Sequence, residues 1–182
     1  RLVGSEMCIR DSAYGAELEA LKKAGWIGSL SVLIGVVLSF FVGAIVAVGF
    51  GVSDPISITT IGAGTATFIV GPVTGTALGA ESSIIALSIA AGLVKSILVM
   101  VGTPLVARRI GLNNPNSAMI YGGLMGTNSG VAAGLAATDP KLVPYGAMTA
   151  TFYTGVGCLI VPSVLFFIVA KIKNYNLIME IL

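Results

Sequence analysis

Long apolar stretches separated by short polar connections dominate the chain from residue 28 onwards. Each stretch approaches the roughly 20 residues that an α-helix needs to cross the hydrocarbon core of a bilayer. Because the connections are short, neighbouring helices should run antiparallel. The pattern predicts an all-α integral membrane protein with about five transmembrane helices. The stretches are residues 28–50, 56–79, 83–107, 118–137 and 145–170.

Two of these stretches carry helix-breaking residues near mid-depth. The second contains Pro72 between Gly71 and Gly75, and the fourth contains three polar side chains between Gly126 and Gly130. Proline removes a backbone donor, and backbone groups freed in lipid need another partner. We therefore predict that both helices are broken at these points. A simple proline kink and a polar helix-packing motif are the respective alternatives.

The polar ends of the chain differ from its apolar part. Residues 1–12 resemble translated adapter sequence, so we predict a non-native segment and a native chain that begins further upstream; a short native tail is the alternative. Residues 13–26 are typical of an amphipathic segment at the membrane interface, where Trp26 suits the aromatic belt. Residues 27–173 form the predicted transmembrane transport domain, and residues 174–182 form a C-terminal tail.

Composition supports a lipid environment and excludes several functions. Of the 182 residues 55% are hydrophobic and 10% are charged, whereas soluble domains carry roughly 25% charged residues. The net charge of +2 argues against nucleic acid as a partner. Histidine is absent and no carboxylates are paired within the apolar stretches, which disfavours a membrane enzyme. Cys8 and Cys158 lie too far apart for a metal-ligand motif. We predict a non-enzyme without a metal centre.

Charges at the ends of the predicted spans suggest an orientation. The positive-inside rule assigns the face richer in Lys and Arg to the cytoplasm. Five spans place four cations on the predicted cytoplasmic face and three on the other. The four are Arg108, Arg109, Lys171 and Lys173, and the three are Lys22, Lys23 and Lys141.

Two ten-residue segments, 62–71 and 146–155, are identical at seven positions. Each follows an Asp-Pro pair, which begins at Asp54 and at Asp139. With five spans the two copies would enter the bilayer from opposite faces, as in the inverted repeats of secondary transporters. We predict such a repeat; two ordinary helices with small packing faces are the alternative. The Asp-Pro pairs are typical of turns at helix N-termini, and a gating or ion role is the alternative.

Lys95 lies near the centre of the third stretch, about a dozen residues from either end. A cation at that depth costs at least about 2.5 kcal/mol. The same helical face carries small and polar residues such as Ser88 and Gly92, so the lysine should point into the helix bundle. We predict that it binds one carboxylate of an anionic substrate. An ion pair or carbonyl contact that only fixes packing is the alternative.

Polar side chains in the second, fourth and fifth stretches complete the predicted site. Thr127, Asn128 and Ser129 join Lys95 as predicted substrate-binding residues, because a broken helix exposes N–H groups that hold an anion. Hydroxyl and carbonyl oxygens also suit a hard alkali cation, whereas no carboxylate cluster suits a divalent metal. The predicted ion-binding residues are Thr65, Thr67, Thr74, Thr149 and Thr151.

A series of short runs covers most of the chain in order. The runs are AGWIGSL at 24–30, TTIGAGT at 59–65, IVGPVTG at 69–75, VGTP at 101–104, IGLNNP at 110–115, GGLMG at 122–126, LAATDP at 135–140, VPYG at 143–146 and ATFYTG at 150–155. With these runs the chain resembles the M subunit of the bacterial malonate transporter, a two-subunit malonate/sodium symporter of the MadM type.

The resemblance implies secondary active transport of malonate with Na⁺ across the bacterial inner membrane, together with a smaller L subunit. It implies no cofactor besides the coupling ion. The family subunit extends further at its N-terminus, so the resemblance also implies a fragment. The residues alone indicate only a transporter of a small solute. A scaffold subunit that binds no substrate, and a transporter of another small organic anion, are the alternatives.

Overall fold

The computed structural model describes the backbone of residues 3–172 and the side chains of residues 25–172. The predicted tail at 174–182 lies outside these residues, and the predictions for residues 1–12 and 13–26 stay predictions. Every regular element in the described part is helical, which confirms the predicted class. The elements are α1 Val3–Gly49, α2 Pro55–Ala66, α3 Val70–Leu78, α4 Ser82–Val106, α5 Pro115–Met125, α6 Asn128–Ala136, a 3₁₀ turn Pro140–Leu142, α7 Val143–Ile160 and a π-helical turn Val161–Leu165.

Three helical segments are long and apolar enough to cross a membrane: Gly25–Gly49, Ser82–Val106 and Pro140–Ile172. Gly25 has a left-handed backbone (φ 61°) and separates the first of these from the preceding part of α1. Large apolar side chains are exposed along these segments, as expected for surfaces that face lipid. The predicted count of five spans is not confirmed, because the second and fourth stretches fold differently.

The second stretch is a helical hairpin rather than a span. Helix α2 has 12 residues and is therefore about 18 Å long, roughly half of a bilayer with its interfaces. A Cβ atom added to Gly71 would lie 2.9 Å from Gly64 Cα, and one added to Gly75 would lie 2.8 Å from Thr60 Cγ2. From Gly71 to Gly75 the partner in α2 changes from Gly64 back to Thr60, so α3 runs antiparallel to α2. We call this segment hairpin 1 (residues 55–78); the chain enters and leaves it on the same face of the membrane.

The fourth stretch forms a second hairpin, hereafter hairpin 2 (residues 115–136), between α5 and α6. Gly146 of α7 packs against both ends of it: an added Cβ atom would lie 3.2 Å from the Ala118 carbonyl oxygen and would clash with Leu135. Ala118 is in the first turn of α5 and Leu135 in the last turn of α6. The two ends therefore lie at one depth, and the connection at Gly126 forms the tip.

The two hairpins enter from opposite faces and meet against α4. Hairpin 1 packs on the first half of α4, where Gly64 and Gly71 contact Ser88. Hairpin 2 packs on the second half, where Gly134 contacts Thr103. We name the faces after residues found there: hairpin 1 enters from the Asp54 face, where α1 ends, and hairpin 2 enters from the Arg108 face, where α4 ends.

This arrangement corrects the predicted repeat. Residues 62–71 contain the hairpin 1 tip, whereas residues 146–155 lie within the continuous helix α7, so these two segments do not share one conformation. The inverted pair consists of α1 with hairpin 1 and α4 with hairpin 2. Both hairpins begin with a capped Asx-Pro pair: Asp54 Oδ2 accepts from Ser57 N at 2.8 Å, and Asn114 Oδ1 accepts from Ser117 N at 2.9 Å. The predicted helix-cap role of Asp54 is confirmed.

The predicted breaks need one correction. The backbone leaves helical geometry at Thr67, and Gly71 to Gly75 lie inside α3. Pro72 is the third residue of α3, where a missing N–H removes no helical hydrogen bond. In the fourth stretch the break lies at Gly126, as predicted, and α6 begins at Asn128.

The hairpins also change which charges share a face, because neither crosses the membrane. Lys171 lies opposite Arg108 and Arg109, so the predicted grouping of these three is wrong. Among residues 25–172, whose side chains are described, the Arg108 face carries three cations and one acid, and the Asp54 face carries one cation and two acids. The former are Arg108, Arg109, Lys141 and Asp139, and the latter are Lys171, Asp54 and Glu81.

Candidate functional site

Two consecutive residues of α4 contact the two hairpin tips. Lys95 contacts the tip of hairpin 1, and Ser96 contacts the tip of hairpin 2 through a hydrogen bond between its hydroxyl group and that of Thr127. Both residues lie near the middle of a 25-residue helix. The tips therefore meet near the centre of the membrane, where broken helices commonly form solute sites.

The Lys95 ammonium group holds the end of α2. Its Nζ donates to the Ala66 carbonyl oxygen at 2.8 Å and to Ser39 Oγ at 2.9 Å, and it lies 5.2 Å from the centre of the Tyr153 ring. Ala66 is the last residue of α2, so its carbonyl belongs to the negative end of the helix dipole. The lysine thus makes the carbonyl contact that the sequence offered as the alternative. Its binding of substrate stays a prediction.

Glycines let hairpin 1 approach α4 closely enough for this contact. An added Cβ atom on Gly92 would lie 2.6 Å from Phe68 Cα, and one on Gly64 would lie 2.6 Å from the Ser88 carbonyl carbon. Neither distance is compatible with a side chain unless the backbone shifts. At the tip, Thr67 is extended (φ −157°, ψ 150°) and ends α2.

The tip of hairpin 2 is held by α1 and α7. Gly126 has a left-handed backbone (φ 68°), and the Tyr153 ring occupies the space of its missing side chain. The Tyr153 hydroxyl group donates to the Gly35 carbonyl oxygen at 3.1 Å, and the tyrosine is fully buried. The same tyrosine ring therefore contacts the tip of hairpin 2 and the Lys95 ammonium group.

The predicted substrate residues of hairpin 2 divide by exposure. Thr127 is fully buried, whereas Asn128 and Ser129 are exposed. Asn128 Nδ2 donates to Thr151 Oγ1 on α7 at 3.0 Å. Helix α6 begins here without a side-chain cap, and α3 begins at Val70 without one as well. Two positive half-helix ends therefore lie at the depth of Lys95.

The predicted ion-binding threonines form two separate groups, one on hairpin 1 and one on α7, rather than one cage. Four of the five hydroxyl oxygens are already hydrogen-bonded within the protein, and Thr74 Oγ1, on a fully buried residue, has no hydrogen-bond partner. Three of the bonded hydroxyls donate to carbonyl oxygens: Thr65 to Ser39 and Gly62, Thr149 to Tyr145 and Gly146, and Thr151 to Ala147. Thr67 Oγ1 accepts from Ile69 N, and Thr151 Oγ1 also accepts from Asn128 Nδ2.

Two clefts converge on Lys95. One of about 690 Å³ lies between α4 and α5 and extends towards the Arg108 face, where Ile110 and Ser117 line it. The other, of about 570 Å³, extends from Lys95 towards hairpin 1 and contains Ser39 and Thr65. Lys95, Leu98, Leu124 and Met125 line both.

Sequence reasoning missed four residues at this centre: Gly35 and Ser39 on α1, Ser96 on α4 and Tyr153 on α7. Gly35 and Ser39 are four residues apart, so they lie on one face of an otherwise apolar helix, and this spacing could have revealed them. Tyr153 carries a hydroxyl group within an apolar span, which in lipid demands a partner. Ser96 gave no signal of its own.

Three helices long and apolar enough to span a membrane, two hairpins that enter from opposite faces, and a cation where their tips meet define a membrane protein with an arrangement that is common among secondary transporters. Residues 3–173 match the family model of the malonate/sodium symporter MadM subunit, and the chain belongs to this family of symporter subunits. The resemblance found in the sequence is confirmed. Comparisons with curated proteins and with solved structures find no match.

Proposed function

We propose that this protein moves malonate across the bacterial inner membrane together with Na⁺, as one subunit of a two-subunit symporter. The observation that carries the proposal is the meeting of two oppositely entering hairpin tips at Lys95, where clefts from both halves of the protein converge. Membership of a malonate/sodium symporter family supports the choice of substrate and ion.

The chemistry of the centre suits a small dianion. Malonate carries two carboxylate groups. One would take the third hydrogen of the Lys95 ammonium group, because two are used by Ala66 and Ser39. The other would lie at the N-terminus of α6, with the side chains of Thr127, Asn128 and Ser129 as further donors.

Alternating access follows from the same arrangement. The cleft on the Arg108 side and the cleft beside hairpin 1 share Lys95 but lie on different sides of it. A substrate at Lys95 would reach one face when hairpin 1 moves and the other when hairpin 2 moves. Gly126 at one tip and Thr67 at the other are the positions where the backbone already departs from helix.

The charge distribution supports an orientation. Among residues 25–172 the Arg108 face carries three cations and one acid, so the positive-inside rule puts it in the cytoplasm. The Asp54 face, with two acids, then faces outwards, where a transporter collects Na⁺. This orientation belongs to the proposal.

A partner subunit has an open surface to occupy. The clefts beside Lys95 are bordered by exposed apolar side chains of α1 and α4, including Leu38, Val42, Val94 and Leu98. A polar substrate path needs shielding from lipid on this side. We propose that the smaller L subunit of the symporter covers it.

The scaffold alternative has one observation in its favour, which is the engagement of Lys95 with Ala66 and Ser39. Reconstitution separates the two. The complete two-subunit transporter in proteoliposomes should take up labelled malonate when an inward Na⁺ gradient is imposed, and much less with K⁺. Substitutions at Lys95 and Thr127 should change the malonate concentration for half-maximal uptake. If they change only the amount of assembled complex, the chain is a scaffold.

A further inference from the structure

The fully buried hydroxyl group of Thr74 has no hydrogen-bond partner. Side-chain hydroxyls buried in protein are nearly always hydrogen-bonded, so one without a partner requires an explanation. At membrane depth no bulk water compensates it. The neighbouring threonines of hairpin 1, Thr59 and Thr60, bond to carbonyl oxygens one turn back in their own helix, whereas Thr74 does not.

The π-helical turn Val161–Leu165 is the element beside Thr74. Val70, one helical turn before Thr74, contacts Gly157, one helical turn before Val161. Because α3 and α7 both run towards the Asp54 face, Thr74 lies level with Val161. Val70 and Val161 belong to one buried cluster, which shows that the two elements pack together.

This turn lacks one backbone donor. Pro162 contributes no amide hydrogen, and the Ser163 hydroxyl group donates to the Leu159 carbonyl oxygen. The helix widens to the π form, in which Phe166 N donates to the Ser163 and Val161 carbonyl oxygens and not to that of Pro162. π-Helical turns of this kind are frequent at functional sites.

We propose that Thr74 Oγ1 and the backbone carbonyls of this π-helical turn bind the coupling Na⁺ between α3 and α7. The Thr74 hydroxyl group, which has no partner, and backbone carbonyls, which keep a second lone pair when they accept one hydrogen bond, are hard, neutral oxygens of the kind that an alkali cation takes as ligands. Among the five threonines expected to bind the ion, Thr74 alone offers an oxygen that no protein group has engaged.

The position suits coupling to the substrate site. Thr74 is four residues before the end of α3, about 6 Å below the Asp54 face along the helix, and Asp54 and Glu81 at that face attract cations. An ion at Thr74 would fix α3 against α7. Helix α3 begins at the tip of hairpin 1, and Lys95 bonds to the last carbonyl of α2 at the same tip. Ion binding would therefore set the position of that tip before substrate arrives.

The proposal rests on the proposed sodium coupling and is tested in the complete transporter with its partner subunit. Thr74→Val keeps the shape and removes the oxygen. It should raise the Na⁺ concentration for half-maximal malonate uptake at least about tenfold, if the lost contact between the oxygen and Na⁺ is as strong as a hydrogen bond to a charged group. The half-saturating malonate concentration at saturating Na⁺ should stay within about twofold. Thr74→Ser, which keeps the hydroxyl, should restore Na⁺ dependence.

Thr60→Val is the matched control. It removes an equally buried hydroxyl from the same hairpin, one that bonds to its own helix, and should leave the Na⁺ dependence unchanged. A second readout is the Tm rise on replacing K⁺ by Na⁺ in detergent, which Thr74→Val should abolish. An unchanged Na⁺ dependence in Thr74→Val overturns the site. A Tm of Thr74→Val that is lowered equally in Na⁺ and in K⁺ also overturns it, because the hydroxyl group would then only stabilise the fold. Malonate uptake by the wild type that is independent of Na⁺ would instead refute sodium coupling itself.

Discussion

Replacing Lys95 by methionine separates its two roles, as the donor that holds hairpin 1 and as the proposed ligand of malonate. The substitution preserves chain length and removes the ammonium group. In the structure it deletes two hydrogen bonds, at 2.8 Å to the Ala66 carbonyl and 2.9 Å to Ser39 Oγ. Both the stability of the fold and the affinity for substrate should respond, by different amounts.

The effect on stability should be small. Leaving the Ala66 carbonyl without a donor costs about 1–3 kcal/mol. Removing a charge from the centre of the membrane stabilises the folded protein by at least about 2.5 kcal/mol. The two nearly cancel, so Lys95→Met should assemble at close to normal levels and with a Tm near that of the wild type.

The effect on malonate should be large. A charge-assisted hydrogen bond contributes roughly 1.5–3 kcal/mol, so losing it weakens binding by about tenfold to 150-fold. Isothermal titration of the purified complex with malonate measures this.

Ser39→Ala is the control, because it removes the second acceptor of Nζ and keeps the charge. It should change malonate affinity much less than Lys95→Met does, because the ammonium group stays in place and keeps its bond to the Ala66 carbonyl oxygen. Normal malonate affinity in well-assembled Lys95→Met would refute the reasoning and leave Lys95 as a donor that only holds α2.

Three further experiments test the fold. Gly64→Ala should lower the free energy of unfolding by about 1–3 kcal/mol, because its Cβ meets the α4 backbone, whereas Gly102→Ala, which has open space, should be nearly neutral; thermal unfolding compares them. Tyr153→Phe should lower it by about 0.5–1.5 kcal/mol through loss of one hydrogen bond to α1, and an unchanged Tm would show that this bond contributes nothing. Single cysteines at Ser53 and Ser83 in a cysteine-free background should react with an impermeant maleimide from the same face; labelling from opposite faces would mean that hairpin 1 spans the membrane.

Sequence reasoning found the apolar stretches and the break at Gly126, but it could not see that two stretches turn back. The second stretch has enough apolar residues for one span, and the same number also fits two half-depth helices. A single span and a pair of half-depth helices therefore have the same length and the same hydropathy. The distinction comes from contacts such as Gly71 with Gly64, which only the folded chain makes.

The break at Thr67 illustrates the limit most clearly. The run Thr-Ala-Thr-Phe occurs at residues 65–68 and again at 149–152, yet the first copy breaks and the second is continuous helix. Local propensity cannot differ between identical residues. What differs is the partner: Lys95 donates to the carbonyl that ends the first helix. No window around residue 66 contains that lysine, so only its unusual depth, not its partner, could be predicted.

The bond between Lys95 and Ala66 also constrains how the protein is made. The two residues are 29 positions apart, so a nascent chain carries the end of α2 into the membrane before its donor has been synthesised. Carbonyls without partners in lipid cost several kcal/mol each. Until α4 has been synthesised, hairpin 1 lacks both this donor and the helix against which its glycines pack, so we expect it to settle in the bilayer only after α4 arrives beside it.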